Sequence, residues 1–167
     1  MRTLITIFAL GFAFLAYAQD PDPLTRYELE DVVVTANSAY LATVQDENTP
    51  AVARMLQKQA ATYDVRSNKE FDKNVADYFE MVFKNNSGNI DAYYDNKGRI
   101  VAASEFFKDV QLPAKVRDEV FKGNDEWKMT SNRYSSSYND TDLVRRTYKI
   151  KLEKGDHKKD VVIHFHK

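Results

Sequence analysis

Between Arg145 and Glu153 apolar and polar side chains alternate without a break: Tyr148, Ile150 and Leu152 fall on one parity, Thr147, Lys149, Lys151 and Glu153 on the other. A period of two sends successive side chains to opposite sides of an extended chain, so this run fits a strand with one buried and one wetted face. The same pattern recurs upstream, where Phe79, Met81 and Phe83 oppose Tyr78, Glu80 and Lys84. It recurs again where Val161, Ile163 and Phe165 oppose His164 and His166. Strands buried on one side only belong to antiparallel sheets, which lay a single face on a core.

The stretch from Ile90 to Trp127 shows how such strands are joined. Ile90 to Tyr94 meets Asp95-Asn96-Lys97-Gly98, with Asp first and Gly fourth, the pattern of a type I turn with a glycine bulge, and Arg99 to Phe107 returns as the next strand. Leu112-Pro113 then opens a helix. Thr49-Pro50 opens an earlier one, with Thr49 predicted as N-cap and Pro50 as the first helical residue, ahead of a Val52, Met55, Leu56 and Ala60 stripe. Tyr63 to Phe71 reads as a strand running into a polar turn at Arg66 to Glu70, and Trp127 to Tyr138 as another strand. At a constant offset Val52 falls on Val116, Leu56 on Val120 and Tyr63 on Trp127; after a short insertion Phe79, Met81 and Phe83 fall on Tyr148, Ile150 and Leu152. The expected fold is therefore α+β: an antiparallel sheet with two short helices on one face, in two related helix-plus-strands units spanning about 49–107 and 112–167.

At the start of the chain Arg2, the apolar run Leu4 to Leu15 and the small-x-small triplet Ala16-Tyr17-Ala18 form an expected signal peptide over 1–18, which predicts an exported protein, periplasmic or secreted. No later run approaches the length needed to span a membrane. Residues 19–48 read as a lead-in segment, beginning Asp20-Pro21-Asp22-Pro23 and strand-like only at Val32 to Thr35. Within it Leu29-Glu30-Asp31-Val32-Val33-Val34-Thr35-Ala36 resembles the energy-coupling box of TonB-dependent outer-membrane receptors, which implies an accessory of such a receptor as one possible role. The chain has no cysteine, hence no disulfide framework and no thiolate chemistry. Its formal net charge of −1, from 24 basic and 25 acidic side chains, offers no case for nucleic acid or an anionic membrane as partner.

The residue types that carry chemistry are sparse. His157, His164 and His166 are the three histidines. His164 and His166 share one strand face and form a candidate metal pair, the basis of an alternative reading as a small envelope enzyme or metal-binding protein. A zinc site needs three or four ligands, and no third is at hand. There is no G-x-S-x-G elbow and no glycine-rich phosphate loop, and Asp118 and Glu119 diverge on a helix. No catalytic residue and no cofactor are expected. Tyr78, Tyr93, Tyr134 and Tyr138 are predicted at outward or edge positions, where a tyrosine contributes both apolar area and a hydrogen bond to a partner.

Ala92-Tyr93-Tyr94-Asp95 through Gly98-Arg99-Ile100, the helix opening Leu112-Pro113, Trp127, and Tyr148-Lys149-Ile150-Lys151-Leu152 with Gly155 together resemble PepSY-like domains, in the broad group of the tandem beta-lactamase-inhibitor-protein fold. The likeness covers roughly residues 90 to 165. It implies an exported domain whose helices pack on an antiparallel sheet, acting without catalysis by binding or inhibiting a protein or peptide in the cell envelope.

Overall fold

The computed structural model describes residues 36–74, 78–140 and 142–166. The signal segment, the strand expected at Val32 to Thr35 and all of the receptor-like motif but Ala36 lie outside them. Three helices, α1 (36–44), α2 (Ala51–Thr62) and α3 (Ala114–Phe121), accompany one six-stranded sheet built from β1 (Phe79–Asn85), β2 (Gly88–Tyr94), β3 (Ile100–Lys108), β4 (Lys128–Asn139), β5 (Asp142–Lys154) and β6 (His157–His166). The strands lie in chain order, each antiparallel to the next. Beyond α1 the element order is α2-β1-β2-β3-α3-β4-β5-β6. A mixed α+β architecture with an antiparallel sheet is thus in place.

The alternation read from the sequence sets the core face. Phe83, Ile90, Ala92, Tyr94, Phe107, Tyr134, Tyr148, Ile150 and Leu152 are buried on it, and Phe79, Met81, Val161, Ile163 and Phe165 pack at its margins. Leu56, Ala60 and Ala61 of α2 and Val116 and Val120 of α3 join the same cluster. Tyr94 anchors α2 directly, donating its hydroxyl to the Ala60 carbonyl at 2.8 Å.

Three local expectations change. Residues 36–44, read as part of a lead-in, form a helix that packs into the core. Asn37, Tyr40, Leu41 and Val44 recur at helical spacing, and Tyr40 and Val44 are buried. Asn37 clamps this helix to two other elements, donating to the carbonyls of Ala61 (3.2 Å) and Gly98 (3.3 Å) and accepting from the Ile100 amide at 2.7 Å. Tyr63 to Phe71 is no strand: Asp64 caps a single 3₁₀ turn at Val65–Ser67 by accepting from the Arg66 amide, so local side-chain bonding wins over extension. Thr49 is not the N-cap of α2. Pro50 occupies that place, and the Thr49 hydroxyl lies 3.1 Å from both the Val44 carbonyl and the Asp46 amide, closing the α1–α2 turn instead.

The β2–β3 turn follows the sequence. Gly98 has φ 79, the Asp95 carboxylate accepts from the Lys97 and Arg99 amides, and Gly98 donates to the Asp95 carbonyl. Gly88 is constrained differently, since a Cβ there would stand 1.9 Å from the Phe106 carbonyl oxygen of the neighbouring strand. Gly88→Ala is therefore expected to cost roughly 2–3 kcal/mol, because backbone must move, against about 1 kcal/mol for Gly98→Ala, where only the left-handed φ is strained. Urea denaturation of the two variants checks the order; equal midpoints would refute the close approach at Gly88.

Candidate functional site

The core face contains a band of polar side chains. In the row that runs across β3, β4 and β5, Glu105 stands opposite Ser136 and Ser136 opposite Arg146, all three buried. Gln57 of α2 donates its amide to both carboxylate oxygens of Glu105 (2.8 and 2.9 Å), and Tyr40 of α1 donates to one of them at 3.4 Å. Arg146 pairs with the Asp46 carboxylate and donates to the Thr43 carbonyl at 3.2 Å. Two residues further along β5, Tyr148 donates to the Asn48 carbonyl at 2.6 Å. The α1–α2 turn is thereby tied to the middle of β5.

Burial sets the protonation of these groups. Loss of water pushes the Glu105 carboxyl up to about 7, although the Gln57 amide, the Arg146 charge and the Tyr40 hydroxyl all favour its ionised form. Burial also opposes ionisation of Asp46, but the bonds from Arg146 and the Asn48 amide outweigh it and hold that carboxyl below its ordinary value. At 2% exposure, Glu105 can present no proton to a substrate outside. The cluster orders the helix layer over the sheet rather than opening onto a cleft.

Two surface depressions lie elsewhere. One of about 480 Å³ runs between Glu47 and the Lys115, Asp118 and Lys122 side of α3, and one of about 360 Å³ between α1 and α2 is lined by Leu41, Arg54 and Met55. Among the described residues no group of three or more His, Asp or Glu side chains is arranged to hold a metal ion. His164 is exposed on β6, its Nδ1 3.1 Å from the Thr147 hydroxyl, and His166 falls opposite Arg145 in register.

The second face of the sheet is the larger open surface. Its register rows are Glu80–Tyr93–Ala102, then Val82–Asp91–Ser104–Ser137–Arg145, then Lys84–Asn89–Phe106–Ser135–Thr147–His164, and Lys108–Arg133–Lys149–Val162. Val82, Phe106 and Val162 are 44%, 37% and 45% exposed there. Of the four tyrosines expected outward, two are so placed. Tyr78 is exposed just ahead of β1, and Tyr93 lies half-buried on the open face, donating to Glu80 at 3.2 Å. Tyr134 and Tyr138 turn inward, at 0% and 9% exposure, because β4 places them on the parity of Asn132 and Ser136 and leaves Ser135 and Ser137 wet. They line the core instead, Tyr134 against Phe107 and Tyr148 and Tyr138 edge-on to Tyr40.

Glu105, Gln57, Tyr40, Arg146 and Asp46 were not legible as a set from spacing alone. A signal was present: Glu105 shares the parity of Phe107, and Arg146 that of Val144 and Tyr148, so two charges sit on apolar faces.

No family model, curated protein or solved structure matches this chain.

The polar band makes stability depend on pH in a definite sense. A carboxyl whose folded value is raised from the ordinary 4.5 to about 7 binds its proton more tightly in the folded state. Its contribution is whole below about 4.5 and is lost as pH rises to about 7, by at most about 3 kcal/mol. The lowered Asp46, Asp64 and Asp95 act oppositely, losing their contribution as pH falls below the usual carboxylate range. Unfolding free energy measured by urea should peak near pH 5 and decline toward neutrality, with Glu105→Gln flattening the decline; an unchanged slope in that variant would exclude Glu105 as its source.

Proposed function

We propose that the chain is an exported, non-catalytic binding module, inhibitor-like in action, that engages a protein or peptide partner in the cell envelope through the open face of its sheet. The observation that carries this reading is the contrast between the two faces. One face is closed by helices over an enclosed carboxylate, while the other leaves Val82, Tyr93, Phe106 and Val162 among charged and hydroxyl side chains. Apolar and aromatic side chains set in a polar surround are the composition of a protein-recognition surface. A six-stranded sheet presents them on rigid backbone, so little ordering is needed on contact.

The same reading takes the chain as two related helix-plus-strands units of PepSY-like type, about 49–107 and 112–167. The element order α2-β1-β2-β3 followed by α3-β4-β5-β6 supports it, as does the entry of each helix behind a proline at its cap, Pro50 and Pro113. In such an arrangement the six strands form one recognition surface without a linker between the halves.

Photo-crosslinking in the producing cell tests the face used. A benzophenone side chain at Tyr93 or Phe106 is expected to give discrete protein adducts that the same group at Met55, 70% exposed on α2, does not give. Adducts confined to Met55, or equal labelling from all three positions, would overturn the assignment.

A further inference from the structure

The open face carries charges of both signs, with Glu80, Asp91 and Lys84 on its β1–β2 side and Glu153 and Asp160 toward the far end of β5 and β6. Its centre carries cations: Lys108 of β3, Arg133 of β4 and Lys149 of β5 stand directly opposite one another in adjacent strands. Neighbouring partners in an antiparallel sheet lie about 5 Å apart, so three like charges follow one another within about 10 Å across the sheet. Arg145 extends the positive field along β5, whereas Lys151 stands opposite Asp160.

Like charges placed directly across a ladder repel and cost stability. None of Lys108, Arg133 and Lys149 is relieved by an ion pair among the described residues, whose salt bridges fall elsewhere: Arg66–Asp64, Arg99–Asp95, Lys115–Glu47, Arg117–Asp118, Arg146–Asp46, Lys154–Glu126 and Lys158–Glu153. All three side chains are exposed. Lys108 instead lies 5.7 Å from the centre of the Phe106 ring, which places an aromatic surface beside the row, and Val162 closes its far end on β6. The whole chain is almost neutral, so the row is a local feature rather than a reflection of composition.

We infer that the partner of the open sheet face is an acidic polypeptide segment, whose carboxylates lie across the Lys108–Arg133–Lys149 row with apolar side chains against Phe106 and Val162. In an extended segment alternate residues face the same way and repeat at about 6.8 Å, against about 5 Å between the backbones that carry adjacent cations. Lysine and arginine head groups on flexible stems take up the remainder. A peptide occupant is favoured over a polysulfated or polyphosphate chain because the row is flanked by apolar side chains, which a glycan or phosphate backbone would leave without a complement. This rests on the open face being the binding surface, and it adds the chemistry of what binds.

The probe is a fluorescein-labelled dodecapeptide alternating glutamate with valine, followed by fluorescence anisotropy against the folded chain, with a lysine–valine peptide and dextran sulfate as comparisons. Saturable binding of the glutamate peptide that weakens with added salt is expected, with none of the lysine peptide. Arg133→Gln with Lys149→Gln should weaken it roughly tenfold, whereas Lys58→Gln with Lys122→Gln, an equal change in net charge on the helix side, should leave it within about twofold. Retained circular dichroism and melting behaviour in both double variants assigns the loss to the surface. Equal weakening by the two pairs, binding of the lysine peptide, tighter binding of dextran sulfate that the glutamate peptide fails to displace, or self-association of the chain through the row would each overturn the inference. Failure of the peptide alongside face-specific crosslinks at Tyr93 and Phe106 discards the acidic chemistry alone; loss of both discards the face.

Discussion

The fold turns on a carboxylate in the wrong solvent. Glu105 lies 2% exposed on the core face of β3, held by both donors' reach from the helix layer: the Gln57 amide on its two oxygens and the Tyr40 hydroxyl on one. A buried acid without such bonds would be expensive, and with them it still resists ionisation. Its partners come from α1 and α2, so the acid dictates where both helices sit. Arg146, two strands away in the same row, repeats the device with Asp46 and the Thr43 carbonyl and fixes the turn between those helices. Apolar packing alone slides easily, whereas directional bonds from a single row select one placement of the helix layer.

The sheet itself was readable because period-two alternation is a strong constraint where one face is buried. The parity of Phe79–Met81–Phe83, of Tyr148–Ile150–Leu152 and of Val161–Ile163–Phe165 is the parity of the core. The Asp95–Gly98 turn was readable because only a few residues accept its positive φ. Helix α1 escaped because Ala36-Asn37-Ser38-Ala39 is a polar opening following a strand-like run, although 37, 40, 41 and 44 keep helical spacing. Tyr134 and Tyr138 were misassigned for a related reason. Their neighbours on the buried parity are Asn132 and Ser136, so β4 has no apolar stripe that distinguishes inside from outside. The polar band that blurred that strand is the one that Glu105 and Arg146 create, and it becomes visible only when α1 and α2 are placed above it.

Placing charge inside had a counterpart outside. The core face takes up one acid and one base with dedicated partners, while the open face keeps Lys108, Arg133 and Lys149 in a row with no acid opposite them. The two faces thus treat charge differently: the core pairs Arg146 with an acid, while the Lys108–Arg133–Lys149 row stands without one.

The contacts of the α1–α2 turn with β5 join residues a hundred positions apart in the chain, as in Asp46–Arg146 and Asn48–Tyr148. Each strand of the sheet, by contrast, pairs with its immediate successor. Four of the five strand connections are short turns with a small closure entropy, and only β3–β4 runs through a helix, α3. The α1–α2 turn is tethered to its landing site on β5 through β1 to β4, so its contacts close loops of about a hundred residues, against a few for each hairpin. The wiring therefore divides into two kinds of contact: local ones that build the sheet, and distant ones that hold the helices over Glu105.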